Sequence, residues 1–126
     1  MTLRPTRPGE CLVIPKEHID HFIDIPSTLL AHLTEVTRRV GRALQAEFQP
    51  LRVGMVVHGF GVPHAHFVLV PQHDPYDITS ARFAEVEEGE VIFRPHLTIP
   101  KAPRSELDAH ADRIRARVDS LESGAT

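Results

Sequence analysis

The sequence has one cysteine, Cys11, among its 126 residues. A single thiol excludes a disulfide within the chain and any zinc module built from several cysteines. Long apolar runs are scarce as well, because the stretch near the N-terminus, Cys11–Ile14, is only four residues long. That is too short for a signal peptide or a membrane span, so we expect a cytoplasmic protein without a membrane partner.

Excess charge of either sign is also small. The net charge is -3 at pH 7, with hydrophobic residues at 41% and charged residues at 25%. These values are ordinary for a soluble globular protein and indicate no basic surface for a nucleic-acid polymer. The length predicts a single domain, residues 1–126, with a motif-bearing core at about 4–103 and a C-terminal helix at about 105–122.

Hydrophobic periodicity predicts the main elements of the first half. Glu10–Pro15 is typical of a short buried strand. Apolar residues recur at intervals of three and four after Ser27, the predicted helix N-cap, and this pattern ends near Pro50. Residues 51–59 and 62–71 are both strand-like, and the glycines between them favour an antiparallel hairpin.

The second half is less regular. Asp74–Asp77 is typical of a turn, residues 79–88 favour a short helix, and residues 90–100 favour one broken strand. The acidic run Glu85–Glu90 is typical of a solvated loop. Ser105 begins the predicted C-terminal helix, whose narrow apolar stripe indicates a position on the surface or against a partner.

Histidine is frequent, with nine residues, and two of them stand one residue apart in "GVPHAHFVLVPQHD". These are His64 and His66, in the predicted second strand of the hairpin. Side chains alternate faces along a strand, so both imidazoles share a face with Val68, while Phe67 and Leu69 point towards the core. The two rings can therefore address the same ligand.

Spacing alone leaves three interpretations of this pair open. The two histidines can be polar residues on a solvated strand face. They can hold a divalent metal ion if a third ligand comes from His58, His73 or Asp74. They can also support covalent catalysis, in which a neutral imidazole attacks phosphorus while a hydrogen bond to its other nitrogen fixes the tautomer.

A wider match involves two blocks in a fixed order. The block "RPGECLVIPKEH", a long helix and then "VPHAHFVLVP" resemble the histidine triad (HIT) family of nucleotidyl hydrolases and transferases, over about Arg4–Gln72. The resemblance implies an α+β fold in which a long helix packs on an antiparallel β-sheet, usually as a homodimer. It also implies a purine nucleotide or a nucleotidyl conjugate as the ligand, with no cofactor and no metal.

The resemblance assigns roles to three histidines. His66 matches the central histidine of the family, which attacks the α-phosphate and becomes a nucleotidyl-histidine. His64 matches the first histidine, which orients or polarises the site. His18 matches an upstream histidine that approaches the phosphate.

Three further residues are candidates for substrate binding. The backbone can approach a phosphate closely at Gly61, and the side chains of Lys16 and His58 can contact one. The sequence departs from the family pattern at Val68, which stands at the third histidine of the triad, and the expected fold is shortened at its N-terminus. Valine can neither donate nor accept a proton, so His58 is a candidate to replace that histidine.

Two functions remain open. The first is a hydrolase or transferase that cleaves a nucleoside 5'-phosphoryl bond through a nucleotidyl-histidine intermediate on His66. Its substrate would be a phosphoramidate, a dinucleoside polyphosphate or an adenylylated small molecule. The second is a HIT-fold module that binds a nucleotide or a protein with little or no catalytic activity, and Val68 is the reason to consider it.

Overall fold

The computed structural model describes residues 1–78, 84–93 and 99–124. The elements in chain order are β1 (Cys11–Val13), a short 3-10 helix (Phe22–Asp24), α1 (Ser27–Phe48), β2 (Arg52–Val57), β3 (Phe67–Gln72), β4 (Ala84–Glu87), β5 (Glu90–Phe93) and α2 (Arg104–Ser123). Strands β1, β3 and β2 form an antiparallel sheet in that order, and β4 and β5 form a second, two-stranded antiparallel sheet. The predicted α+β class, with a long helix on an antiparallel sheet, is confirmed.

The central strand β3 supplies the core between the sheet and α1. Phe67 and Leu69 are 4% and 2% exposed, and they belong to one hydrophobic cluster with Leu33 and Leu44 of α1. Burying a side chain of this size stabilises the fold by about 1.5–3 kcal/mol. The predicted inward direction of Phe67 and Leu69 is confirmed, so Val68 between them lies on the opposite face of the sheet.

The histidine pair precedes β3 and does not lie inside it. The prediction began this strand at residue 62, but the observed strand begins at Phe67. Gly61 has a φ of 107° and Pro63 has no amide hydrogen, so neither suits a continuous ladder. The predicted antiparallel pairing of the two segments is confirmed in β2 and β3, but residues 58–66 form a longer connection than a tight hairpin turn.

A tight turn leads into β1. The backbone N–H of Glu10 donates to the carbonyl of Arg7 at 3.2 Å, and Gly9 has a φ of 93°. With Pro8 at its second position and glycine at its third, this has the form of a type II turn. A Cβ on Gly9 would lie 2.6 Å from the ring of Phe48. The glycine therefore also lets the end of α1 pack against the turn.

Helix α1 begins one residue earlier than its predicted cap implies. Ser27 already has helical backbone, and the non-helical cap position falls on Pro26, with φ -54° and ψ 142°. The prediction of Ser27 as the N-cap is therefore wrong. The C-terminal end lies where the sequence places it, because Gln49 adopts the left-handed conformation, with φ 49°, directly before Pro50.

Helix α2 packs against α1 of the same chain. Leu107 and Ile114 are 4% and 8% exposed, and Arg113 and Arg117 bind the carboxylate of Glu47 on α1 at 2.6 and 3.1 Å. Most residues of α2 are exposed, so the helix lies on the surface as predicted. Its apolar stripe packs on the same chain, with Ile114 in the core cluster that contains Leu33 and Leu44 of α1. Of the helices within the described ranges, none is long and apolar enough to cross a membrane.

The acidic segment forms a second hairpin. The predicted helix over residues 79–88 is wrong in its described part, because Ala84–Glu87 is β4; residues 79–83 lie outside the described residues. Glu88 and Gly89 have φ values of 50° and 85°, which is the backbone of a type I′ hairpin turn. The acidic run is thus a strand pair and not a loop, although it is exposed as expected. Of the predicted strand over 90–100, β5 confirms the beginning, and residues 94–98 lie outside the described residues.

Candidate active site

The connection after β1 docks onto the segment that precedes β3. The backbone N–H of Ala65 donates to the carbonyl of Ile19 at 2.7 Å, and Nε2 of His64 lies 2.9 Å from the carbonyl of Pro15. Ala65 is 4% exposed and anchors this segment in the core. These contacts fix the backbone around both histidines although it lies outside the strand. No sequence pattern marks Pro15 and Ile19 as partners of a segment about 50 residues away.

A backbone carbonyl selects the tautomer of His66. Nδ1 of its ring lies 2.8 Å from the carbonyl oxygen of His64. A carbonyl only accepts hydrogen bonds, so Nδ1 carries the proton and donates. In the neutral ring the other nitrogen, Nε2, then keeps its lone pair. Such an imidazole, with one nitrogen bonded and the other available, is equipped for nucleophilic attack on phosphorus.

His64 links the other two predicted catalytic histidines. Its Nε2 donates to the carbonyl of Pro15, and its backbone carbonyl accepts from His66. The ring of His18 lies beside it, with 5.5 Å between the ring centroids and planes inclined at 58°. The structure thus brings His18, His64 and His66 into one row. His18 is exposed, whereas the other two rings are half-buried.

The predicted substrate-binding residues are spread around this row. Lys16 is exposed and lines a cavity of about 410 Å³ between the end of β1 and α1. Gly61 lines an open cavity of about 340 Å³ on the connection between β2 and β3. Neither lining includes His64 or His66, so the structure does not join Lys16 or Gly61 to the histidine row through these cavities.

His58 follows the last residue of β2. The final pair of the ladder is Val57 with Phe67, so one more step in the same register would set His58 opposite His66. His58 is exposed, and the ladder ends before it. Within the part of the chain that the structure describes, no hydrogen bond joins His58 to His18, His64 or His66.

The flank of His66 on the other side is apolar. Burial alternates through this segment, with Ala65 and Phe67 buried and His66 and Val68 half-buried, so His66 and Val68 share a face. Val68 is paired directly with Leu12 of β1 and with Val56 of β2. Directly paired residues of antiparallel strands project to the same face. Three hydrocarbon side chains therefore form a row across the sheet next to His66.

The proposed metal ligands are not assembled. His73 and Asp74 follow the opposite end of β3 from the histidine pair, and Asp74 binds Arg7 at 3.4 Å. Among the described residues, no group of three histidine, cysteine, aspartate or glutamate side chains could hold a metal ion. Cys11 is no alternative nucleophile, because burial raises the pKa of its thiol to about 11 and leaves it protonated at neutral pH.

Sequence reasoning missed one buried polar cluster, around Asp77. Its side chain is fully buried; Oδ1 accepts from Nε of Arg7 at 2.9 Å, and Oδ2 accepts from the amides of His73 and Asp74 at 2.7 and 3.0 Å. Burial by itself raises the pKa of Asp77, but these hydrogen bonds more than offset it, and the pKa lies below its ordinary value. The cluster ties the turn before β1 to the turn after β3. The sequence signal available was only the turn-forming "DPYD".

Solved structures of low sequence identity share this fold. A Hit-like protein involved in cell-cycle regulation from Bartonella henselae matches with a TM-score of 0.69 and 22% identity, covering 93% of this chain and 76% of that one. A hypothetical histidine triad nucleotide-binding protein from Sulfolobus tokodaii matches with 0.73 and 17%, covering 97% and 77%. A Zn-bound histidine triad family protein from Mycobacterium smegmatis matches with 0.66 and 22%, covering 98% and 78%. These likenesses establish a HIT-like fold.

Sequence comparison reaches a curated relative and a family profile. An adenosine 5'-monophosphoramidase from Saccharomyces cerevisiae is 30% identical over 76 residues, which is 59% of this chain and 48% of that protein. The chain thus spans about half the length of this relative. The profile of the HIT domain matches residues 1–74, the range that contains the turn before β1, all of α1 and the histidine row. Because that match covers more than half of the sequence, the chain belongs to the HIT domain family.

Proposed function

We propose that this protein is a nucleotide-binding hydrolase that cleaves a nucleoside 5'-phosphoryl bond through a nucleotidyl-histidine intermediate on His66. The observation that carries the proposal is the hydrogen bond from Nδ1 of His66 to the carbonyl of His64. It leaves the lone pair on Nε2, the atom that would attack. The adenosine 5'-monophosphoramidase that is 30% identical over 76 residues supports an adenylyl group as the part transferred.

The chemistry has two steps. Nε2 of His66 bonds to the α-phosphorus, and the bond from phosphorus to the leaving group breaks, with its electron pair going to the leaving group. An amine leaving group also takes up a proton in this step. Water then attacks the same phosphorus, the electron pair of the P–N bond returns to Nε2, and a proton is released to solvent. The hydrogen bond at Nδ1 stabilises the ring when it carries positive charge in the intermediate, because a charged donor bonds more strongly than a neutral one.

The neighbouring histidines have supporting roles in this proposal. The exposed ring of His18 would donate a hydrogen bond to a non-bridging phosphate oxygen. His64 would orient the site, because its ring binds the carbonyl of Pro15 and its own carbonyl binds His66. Lys16, Gly61 and His58 would bind other parts of the substrate. Substrates of the proposed class are phosphoramidates, dinucleoside polyphosphates and adenylylated small molecules, and a transferase would differ only in replacing water by another acceptor.

The experiment that tests the proposal compares wild type with His66→Ala. Purified proteins are incubated with adenosine 5'-phosphoramidate and with an acyl adenylate, and AMP is followed by chromatography. We expect His66→Ala to lose about 1,000-fold or more in kcat/KM with an unchanged thermal unfolding curve, since the ring lies outside the apolar core. Intact-protein mass spectrometry after an alkaline quench should detect an adenylyl adduct on wild type alone.

The contrary result is equally clear. Turnover by His66→Ala at the wild-type rate would show that His66 is not the nucleophile. A matched control is His73→Ala, since His73 is also a histidine next to β3 but lies at its other end and is exposed. This variant should retain full activity.

A binding module with little or no catalysis is the second candidate, and Val68 favours it. In typical members of the family a histidine stands there, and the row formed with Leu12 and Val56 has no proton donor. Saturable binding of AMP in a calorimetric titration, together with no product from any substrate of the series, would support this candidate. Turnover would exclude it.

A homodimer and a cytoplasmic location belong to the same proposal. The outer strand β2 of the larger sheet carries exposed apolar side chains, with Met55 53% and Val57 37% exposed. Apolar area of this kind is typical of surfaces that associate. Light scattering should give twice the mass of the chain at micromolar concentration, and cell fractionation would test the location.

A further inference from the structure

We infer that the site selects substrates whose leaving group departs as a stable anion, and that Val68 determines this selectivity. The class that fits is the mixed anhydride of a nucleotide with a carboxylic acid, as opposed to a phosphoramidate whose leaving group is an amine. This inference rests on the proposed function, because it concerns the leaving group of that reaction. It concerns the flank of His66 that faces away from the other histidines.

The two flanks of His66 differ in chemistry. On one side stand the rings of His64 and His18; the N–H of His64 is held by the carbonyl of Pro15, and the exposed ring of His18 can donate a hydrogen bond to a charged phosphate oxygen. On the other side, two residues along the chain and roughly 6–7 Å away, stands Val68. We therefore expect the charged oxygens of a phosphoryl group on Nε2 to lie towards the histidine side and its leaving group towards Val68.

The apolar flank is accessible and is not part of the core. Leu12 is 41% exposed, and Val68 and Val56 are half-buried, whereas Phe67 and Leu69 on the opposite face are 4% and 2% exposed. The row formed by Leu12, Val68 and Val56 thus presents hydrocarbon to a ligand that lies beside His66. An acyl or aryl group buries apolar area there, at roughly 25 cal/mol per Å².

The same row contains no group that can protonate a leaving group. An amine is a poor leaving group as an anion and needs a proton as its bond to phosphorus breaks. General acid catalysis of this kind contributes about 100- to 10,000-fold. A carboxylate needs no such proton because its conjugate acid is strong. The row therefore favours anhydrides and activated esters over amides of phosphorus.

The reaction balances without a proton donor at this flank. Nε2 of His66 forms a bond to phosphorus, the bond from phosphorus to the acyl oxygen breaks, and its electron pair leaves with the carboxylate. Water then adds to phosphorus, the P–N electron pair returns to Nε2, and the proton of water passes to solvent. The products are the nucleoside monophosphate, the carboxylate and protons.

A series of aryl esters of AMP tests the inference, since their leaving groups form one chemical type of graded acidity. The series runs from para-nitrophenol to unsubstituted phenol, and kcat/KM is measured for wild type, Val68→His and Val68→Ala. For wild type we expect kcat/KM to fall by about 100-fold or more across the series, the size of a missing general acid. Val68→His should flatten this dependence and raise phosphoramidate turnover at least about tenfold, while Val68→Ala should keep the wild-type dependence.

The possible results distinguish a failure of the leaving-group selectivity from a failure of the proposed function. A shallow dependence in wild type, with the phenyl ester cleaved nearly as fast as the para-nitrophenyl ester, would overturn the inference and leave the proposed function intact. Amine release that disappears in His58→Ala would overturn it too, because His58 would then be the missing donor. Cleavage of no ester by any variant, with no adduct on His66, would overturn the proposed function and this inference with it. The wild-type series alone is decisive if Val68→His proves unstable.

Discussion

Polar side chains lie at both ends of β3, and their hydrogen bonding differs between the two ends. Before the strand, His66 gives one ring nitrogen to a backbone carbonyl, and its other nitrogen has no hydrogen-bond partner among the residues that the structure describes. After the strand, both carboxylate oxygens of Asp77 accept hydrogen bonds, from Arg7 and from two backbone amides. A fully bonded buried group stabilises the fold, whereas a partly bonded one retains an atom for chemistry.

The two groups differ in burial and therefore in how many hydrogen bonds they require. A buried carboxylate without partners would be costly, so burial of Asp77 is possible only because its oxygens are bonded. An imidazole at a half-buried position can leave one nitrogen to solvent or ligand at little cost. The comparison predicts that changes at Asp77 affect stability, while changes at the histidines affect activity.

The largest effect on stability is expected for Asp77→Ala. The change leaves the amides of His73 and Asp74 without their acceptor and removes a partner of Arg7. Unsatisfied buried groups cost about 1–3 kcal/mol each, so we expect a loss of about 2–4 kcal/mol in the free energy of unfolding. Urea titration measures this loss, and kcat/KM of the folded variant should stay within about twofold of wild type.

A surface aspartate provides the control for this variant. Asp112 pairs with Arg115 one turn along α2, and both side chains are exposed. Asp112→Ala should cost less than about 0.5 kcal/mol, because exposed pairs of this kind contribute little. Equal losses in the two variants would show that the Asp77 cluster does not stabilise the fold as the comparison requires.

A smaller effect, this time on activity, is expected for His64→Ala. The tautomer of His66 depends on the backbone carbonyl of residue 64, which alanine keeps, so His66 retains its nucleophilic nitrogen. We expect kcat/KM to fall by about 10- to 100-fold, less than for His66→Ala, because the ring of His64 no longer binds the carbonyl of Pro15 and the site is positioned less well. A fall as large as that of His66→Ala would mean that the ring of His64 takes a direct part in the chemistry.

The smallest effect is expected in the pH dependence of stability. The pKa of Asp77 is lower in the folded protein, so below its ordinary value near 3.8 the unfolded chain binds more protons. The stability that Asp77 contributes is therefore present above that pH and is lost as the pH falls through the folded pKa. Burial raises the pKa of Glu10. Ionisation of this carboxyl therefore lowers the free energy of unfolding as the pH rises, which is opposite to the effect of Asp77.

Urea titrations between pH 2 and pH 6, about two units on either side of ordinary carboxyl pKa values, check this sign. Asp77→Asn removes the titrating group, so the acid-induced loss of stability should be smaller than in wild type. A steeper loss in Asp77→Asn than in wild type would contradict the assignment. Glu10→Gln should make the acid-induced loss of stability larger than in wild type, because the variant no longer gains stability from protonation of Glu10.

Local pattern was sufficient for the faces of the elements and for several turns. The alternation that directs Phe67 and Leu69 inwards and Val68 outwards holds even before the strand begins, since Ala65 is buried between the half-buried His64 and His66. Pattern failed for residues 84–88, where glutamate and alanine favoured a helix. The dipeptide Glu88–Gly89, which adopts positive φ values in the hairpin turn, was the stronger signal.

The sequence by itself determined the fold class, the long helix, the position of the histidine pair on one face and the resemblance that the family match confirms. Only the tertiary structure decided which atoms those side chains meet: Pro15 with His64, Arg7 with Asp77, and α1 with the apolar stripe of α2. Periodicity records which face of an element is apolar, and that is a local property. The partner of a polar atom depends on segments about 50 to 70 residues away that packing brings together.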